Sequence, residues 1–170
     1  AHTHLAGRGA KLENRSFWVG SRRQRLALSL HTRHQHPDTS SRLVARGALQ
    51  DQAQSAYHGL IRIEPGAHQA QASLQADTLL LSGQARAQAT PALEILADEV
   101  QVSHGVTVGQ VEPEQVFYLR SRGLSQQEAR RLLVQGFFAP YLQQVPGAFV
   151  RQRLESAINA KLTERGRKHV

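Results

Sequence analysis

The sequence predicts a mainly β chain that finishes in α-helices, and three observations carry that assignment. From about residue 15 to 110, short apolar stretches recur with turn residues between them. Several of those stretches alternate apolar and polar positions with a period of two. After Gly109 the period lengthens to that of a helix.

The β elements follow in order. Leu26, Leu28 and Leu30 alternate with Arg25, Ala27 and Ser29, the pattern of a half-buried strand. Leu43-Val44-Ala45 comes next, then Tyr57 to Ile63, where Tyr57, Gly59, Ile61 and Ile63 share one face. Further short strands are expected at Ala72-Ser73-Leu74, Leu79-Leu80-Leu81, Leu93 to Leu96 and Val100-Gln101-Val102. Pro37-Asp38, Gly47, Pro65-Gly66, Ser82-Gly83 and Asp98 read as the turns between them. No helical stretch is long enough to serve as a βαβ crossover. Short strands at near-regular spacing suit a sandwich or a solenoid. Small-residue tracts such as Gln69 to Ser73 and Ala85 to Ala89 tip the pattern toward the solenoid.

Helix signals begin at Pro113, which suits a first turn, with Glu112 and Glu114 beside the N-terminal dipole and Gly123 at the stop. Ser125 and Glu128 have the spacing of a capping box and open a second helix carrying Ala129, Leu132, Leu133, Phe137 and Leu142. Pro146-Gly147 interrupts. A third helix runs from about Ala148 to Leu162, with Val150, Leu154 and Ile158 on one stripe. The predicted layout is β coils over 1–110, a helical region over 111–164 and a polar tail over 165–170. Helices in this position are expected to cap the open end of the coils.

Composition narrows the function. Hydrophobic residues make up 40% and charged residues 20%, enough apolar material for a core, while only 5% is aromatic. The formal charge is +8, nearly all from arginine, which allows nucleic acid, an anionic membrane or an acidic protein as partner. The arginines are scattered, without interleaved aromatic platforms, so nucleic acid is disfavoured and a solvated face or a protein contact is preferred. With no cysteine, the chain has neither a disulfide nor a thiolate metal site. No apolar run approaches the length of a membrane span and no signal peptide opens the chain, so an intracellular soluble protein is expected. The chain also lacks methionine and begins in sequence that reads as mid-fold, so it is expected to be a fragment of a longer protein.

Chemistry-bearing motifs are few. His31, His34 and His36 have a metal-like spacing, but Arg33 lies among them and Pro37-Asp38 marks a turn, which predicts a solvated loop. There is no phosphate loop, nucleophile elbow or His-Glu-x-x-His motif, and adjacent Asp98 and Glu99 point to opposite faces. The chain carries no sequence sign of an enzyme. His104 stands out by its place alone: it ends a strand at the seam between β and helical regions and precedes Gly105.

Three segments, in order, resemble the SufB/SufD family of iron–sulfur cluster assembly proteins. Ser41 to Ile63, with Arg46-Gly47 and Gln54 to Ile61, resembles its serine stretch and following strand. Asp77 to Leu81 and Pro91 to Ile95 resemble the next coils. Ser103 to Gly123, continued by Gly136-Phe137-Phe138 and Leu142 to Pro146, resembles its most distinctive block. The resemblance covers about residues 41–160. Ser103-His104-Gly105 stands where the SufB branch carries Glu-His-Glu, and the branch's cysteine has no counterpart, so the chain is nearer SufD.

That resemblance implies a right-handed parallel β-helix, of which residues 1–110 are the C-terminal coils, followed by a small helical region. It implies a non-catalytic scaffold subunit that pairs with a SufB-like subunit through the β-helix and with a SufC-like ABC-type ATPase through the helices. A homodimer would replace the pair where SufB is absent. ATP belongs to the ATPase, and no cofactor is held by this chain alone. His104 matches the position where SufD contributes a histidine near the SufB interface, making it the candidate ligand of a nascent iron–sulfur cluster shared with SufB. The segment Gln115 to Ala129 is the candidate ATPase-facing surface, with Phe117 and Tyr118 as apolar anchors and Arg120, Arg122 and Glu128 as charged partners. The alternative for Phe117 is packing of the helices onto the coils. A cytoplasmic setting follows, or a plastid stroma in a eukaryote. The runner-up function is a basic β-solenoid binding nucleic acid or another anionic surface.

Overall fold

A computed structural model describes residues 1–163; the predicted tail, 165–170, lies outside the described residues. Among the described residues, eight strands precede three helices: β1 (His2–Leu5), β2 (Lys11–Gly20), β3 (Arg25–His34), β4 (Ser40–Leu49), β5 (Gln54–Ile63), β6 (Gln71–Leu80), β7 (Arg86–Ile95), β8 (Gln101–Gln110), α1 (Pro113–Ser121), α2 (Gln126–Leu142) and α3 (Ala148–Thr163). The strands form two parallel four-stranded sheets, β1-β3-β5-β7 and β2-β4-β6-β8. Consecutive strands alternate between the sheets, so the chain winds as a β-solenoid. Lys11 pairs with Ser40, Ser40 with Gln71 and Gln71 with Gln101, a repeat of about thirty residues per coil.

Tight corners make this winding work. Arg22, Asp38, Asp51, Gln69 and Glu99 all take left-handed backbone, with φ between 55° and 59°. Corners stack as the strands do: the Asp38 amide donates to the His68 carbonyl at 3.0 Å, and the Gln69 amide to the Glu99 carbonyl at 3.1 Å. Backbone donors that a lone turn would leave to water are thereby satisfied by the next coil.

Inside, in-register residues stack in columns. Leu43, Ala45 and Leu49 of β4 lie on Leu74, Ala76 and Leu80 of β6, facing Tyr57, Ile61 and Ile63 of β5 in one apolar core. The interior is narrow, and two glycines fit it to its large residues. A Cβ on Gly47 would stand 2.1 Å from the Trp18 ring, and one on Gly59 would stand 2.4 Å from Leu74. Gly47 is therefore a strand residue, not the predicted turn. The two segments predicted at Ala72 to Leu74 and Leu79 to Leu81 likewise belong to one continuous β6, with Leu81 just beyond it.

The helices do not cap the end of the coils. They fold back across the outer face of the β2-β4-β6-β8 sheet, where Val134, Phe138, Leu142 and Ile158 pack with Ala48, Leu81, Phe17 and Val19. The sheet's own outward columns supply enough apolar surface for this, which the expectation of a cap overlooked. Pro113 opens α1 and Gly123, at φ 93°, follows its end. Ser125 and Glu128 form the predicted capping box at α2. No helix among the described residues is long and apolar enough to cross a membrane.

Candidate functional site

Uncapped, the last coil exposes a cross-section of the core. Among the described residues, β8 pairs only with β6, and β7 only with β5. His104 is the fourth residue of β8, and not at the strand's end as expected. Its register partner is Leu74, whose own partner is Leu43, and both leucines are 1% exposed. By the same register His104 belongs to an interior column, and it is exposed because no coil follows. Val106 continues the Ala45–Ala76 column, Val108 the Gly47–Thr78 column and Ile95 the Ile63 column. These are among the exposed large apolar side chains, with Leu96 beside them at 51%. The result is an apolar mouth with an imidazole set in its wall. One imidazole cannot hold a metal ion firmly by itself, and no group of three metal-ligating side chains converges among the described residues.

The other predicted site residues stand elsewhere. Phe117 and Tyr118 are 73% and 57% exposed on α1, so Phe117 does not pack the helices onto the coils. Arg122 donates from Nη2 to the Tyr118 hydroxyl at 3.3 Å, with its guanidinium 5.3 Å from that ring's centroid. Arg120 is exposed in the last turn of α1. Glu128 is occupied by the capping box: it accepts from the Ser125 amide at 2.8 Å, and hydrogen bonding with the Ser125 side chain, then with its backbone, holds its carboxyl below the usual range. Phe149 and Val150 at the start of α3 are also exposed, at 73% and 49%, and were missed because the stripe assigned to α3 paired Val150 with buried Ile158.

Two buried polar groups escaped sequence reasoning. Arg46 and Asp77, register partners on β4 and β6, form an ion pair on the outer sheet face. Arg46 also donates to the Tyr141 hydroxyl and lies 3.6 Å from that ring's centroid, so it ties α2 to the sheet. His34, assigned to a solvated loop, is fully buried at the end of β3. Thr39 donates its hydroxyl to the His36 carbonyl at 3.0 Å, so it accepts from His34 Nδ1 at 2.9 Å, and Nε2 then accepts from Ser41 at 2.8 Å. That pattern needs a neutral ring, and burial pushes its pKa down. His31, three residues earlier, is also a strand residue; its pKa is lowered by desolvation and then by the neighbouring His2, His58 and amino terminus.

Comparison with known proteins places these features in a family. Residues 1–137 match the family model described as SUF system FeS cluster assembly, SufBD core domain. The chain belongs to the SufBD family. Within it, the chain is 34% identical over 160 residues to the iron–sulfur cluster assembly protein SufD of Bacillus subtilis, covering 94% of this chain and 37% of that protein. It is 35% identical over 171 residues to an iron–sulfur cluster assembly SufBD family protein of Mycobacterium leprae, covering 96% of this chain and 44% of that one. A SufBD family protein of Synechocystis is 35% identical over 126 residues, covering 74% and 28%. This SufBD chain thus spans less than half the length of these relatives, and it is SufD-like in sequence.

Proposed function

We propose that the chain is the C-terminal scaffold portion of a SufD-type subunit, not itself a catalyst, that helps assemble iron–sulfur clusters as cargo. The open mouth of the solenoid carries this reading. Ten-residue edge strands and bare core side chains are stabilised by a partner of the same kind, and a SufB-like β-helix is that partner. A second copy of this chain takes the place when SufB is absent. His104 then sits at the seam as one nitrogen ligand, and the partner supplies the remaining thiolate or carboxylate donors. A mixed ligand set suits a cluster that must be released. The exposed face of α1, with Phe117, Tyr118, Arg120 and Arg122, receives the SufC-like ABC-type ATPase, and Glu128 sets the start of α2 beside it.

Affinity capture of the chain co-expressed with SufB-like and SufC-like subunits tests this. Both partners are expected in the eluate. His104→Ala is expected to keep both and to lower the yield of iron and sulfide on the complex; unchanged yield would remove the ligand role. Recovery of nucleic acid in place of both proteins would overturn the scaffold reading in favour of a basic anion-binding solenoid.

A further inference from the structure

A second cluster of imidazoles lies on the opposite side of the solenoid from the helices, outside the site described above. His2, His31 and His58 come from β1, β3 and β5, three successive strands of one sheet. His2 and His31 are register partners, with ring centroids 4.4 Å apart. The His31 and His58 rings are 5.4 Å apart and tilted by 54°. Parallel pairing fixes this closeness, since same-face residues on neighbouring strands stand about 4.8 Å apart whatever their chemistry.

We propose that His2 and His31 form a two-imidazole site for a late first-row divalent cation such as Ni2+, with water completing the coordination. Imidazole nitrogen is the preferred donor for such ions, and a rigid parallel ladder holds the two rings side by side without ordering a loop. Ser29 Oγ stands 3.0 Å from His31 Nε2 and orients the ring, as an outer-shell partner does. The nearby arginines do not oppose a cation strongly. Arg33 pairs with Glu64, and Arg62 with both Glu64 and Glu94, at 2.8 and 2.9 Å for the latter two contacts. His58 stands next to the pair, and no group of three metal-ligating side chains converges among the described residues, so the site is written with two protein ligands.

Titration calorimetry with NiCl2 at pH 7.5 is the test, supported by following paramagnetic broadening of the imidazole resonances. One Ni2+ per chain is expected, broadening His2 and His31. His31→Ala is expected to weaken binding on the order of tenfold or more. That variant keeps the amino terminus, His2 and His4, so binding by the chain's start alone would survive it. His104→Ala is expected to leave Ni2+ affinity unchanged, which separates this site from the mouth. His31 faces away from the core, so the variant's circular dichroism should match the parent's, and His2→Ala serves as a second probe. Absence of binding, equal affinity in His31→Ala, or broadening centred on His104 would overturn the proposal.

Discussion

Arg46 and Asp77 face each other across β4 and β6 at 6% and 4% exposure, beneath the ring of Tyr141. The pair joins neighbouring coils and also fixes α2. Arg46 Nε and Asp77 Oδ1 have no hydrogen-bond partner among the described residues, so the cluster has little electrostatic reserve. Asp77→Asn leaves a buried guanidinium without its counter-charge and is expected to cost about 3–5 kcal/mol. Replacing both, by Arg46→Met with Asp77→Leu, should cost less than the single change. Urea unfolding of both variants decides it; a single change no worse than the double would refute the account.

His34 makes stability depend on pH. Its folded pKa lies below the ordinary value because burial disfavours the charged ring. Below about pH 6.5 the unfolded chain binds a proton that the folded chain refuses, so stability falls as pH falls, by at most about 1.4 kcal/mol per pH unit for one group. Urea midpoints should drop between pH 7 and pH 5. His34→Gln, although less stable at neutral pH, should show a shallower drop; an equal slope would assign the effect to other groups.

How much of this was legible follows from which faces the strands bury. β3 and β5 were found because one face is polar: Arg25, Ala27 and Ser29 alternate with leucines, and Tyr57, Gly59, Ile61 and Ile63 are the buried face of β5. In β4 the period disappears, because α2 covers Ala48 and Arg46 on the outer side while Leu43, Ala45 and Leu49 fill the inner side. Gly47 there looked like a turn only because its reason, the Trp18 ring, comes from another coil. The helices were placed by their caps, which are local, but their docking face depends on columns assembled from distant residues. His104 was singled out by its place at the seam and given a role by resemblance; its interior position required the register.

Gly47→Ala tests the fit of the interior. A methyl group there collides with the Trp18 ring rather than with a flexible side-chain end. The substitution is expected to destabilise by about 1–3 kcal/mol. Trp18→Leu in the same chain should recover part of that loss, so the two changes should be non-additive in thermal unfolding. Strict additivity would show that the ring is not what excludes the methyl.

Phe117 separates binding from folding. Its ring is 73% exposed, so Phe117→Ala should change stability by no more than about 0.5 kcal/mol. If α1 receives the ATPase, the same change should weaken its capture at least several-fold. Loss of stability without loss of capture would return Phe117 to a packing role.

Val106 gives the corresponding test at the mouth. It continues the Ala45–Ala76 column, yet it is 37% exposed for want of a following coil. Val106→Asp puts a carboxylate where a second solenoid would have to bury it, which opposes association strongly, while the free chain can still solvate the group. Light scattering coupled to size exclusion should show less self-association, and capture of a SufB-like partner should fall with it. The variant's unfolding midpoint should stay near the parent's. If association and capture persist, pairing runs through another face, and His104 loses its place at a shared seam.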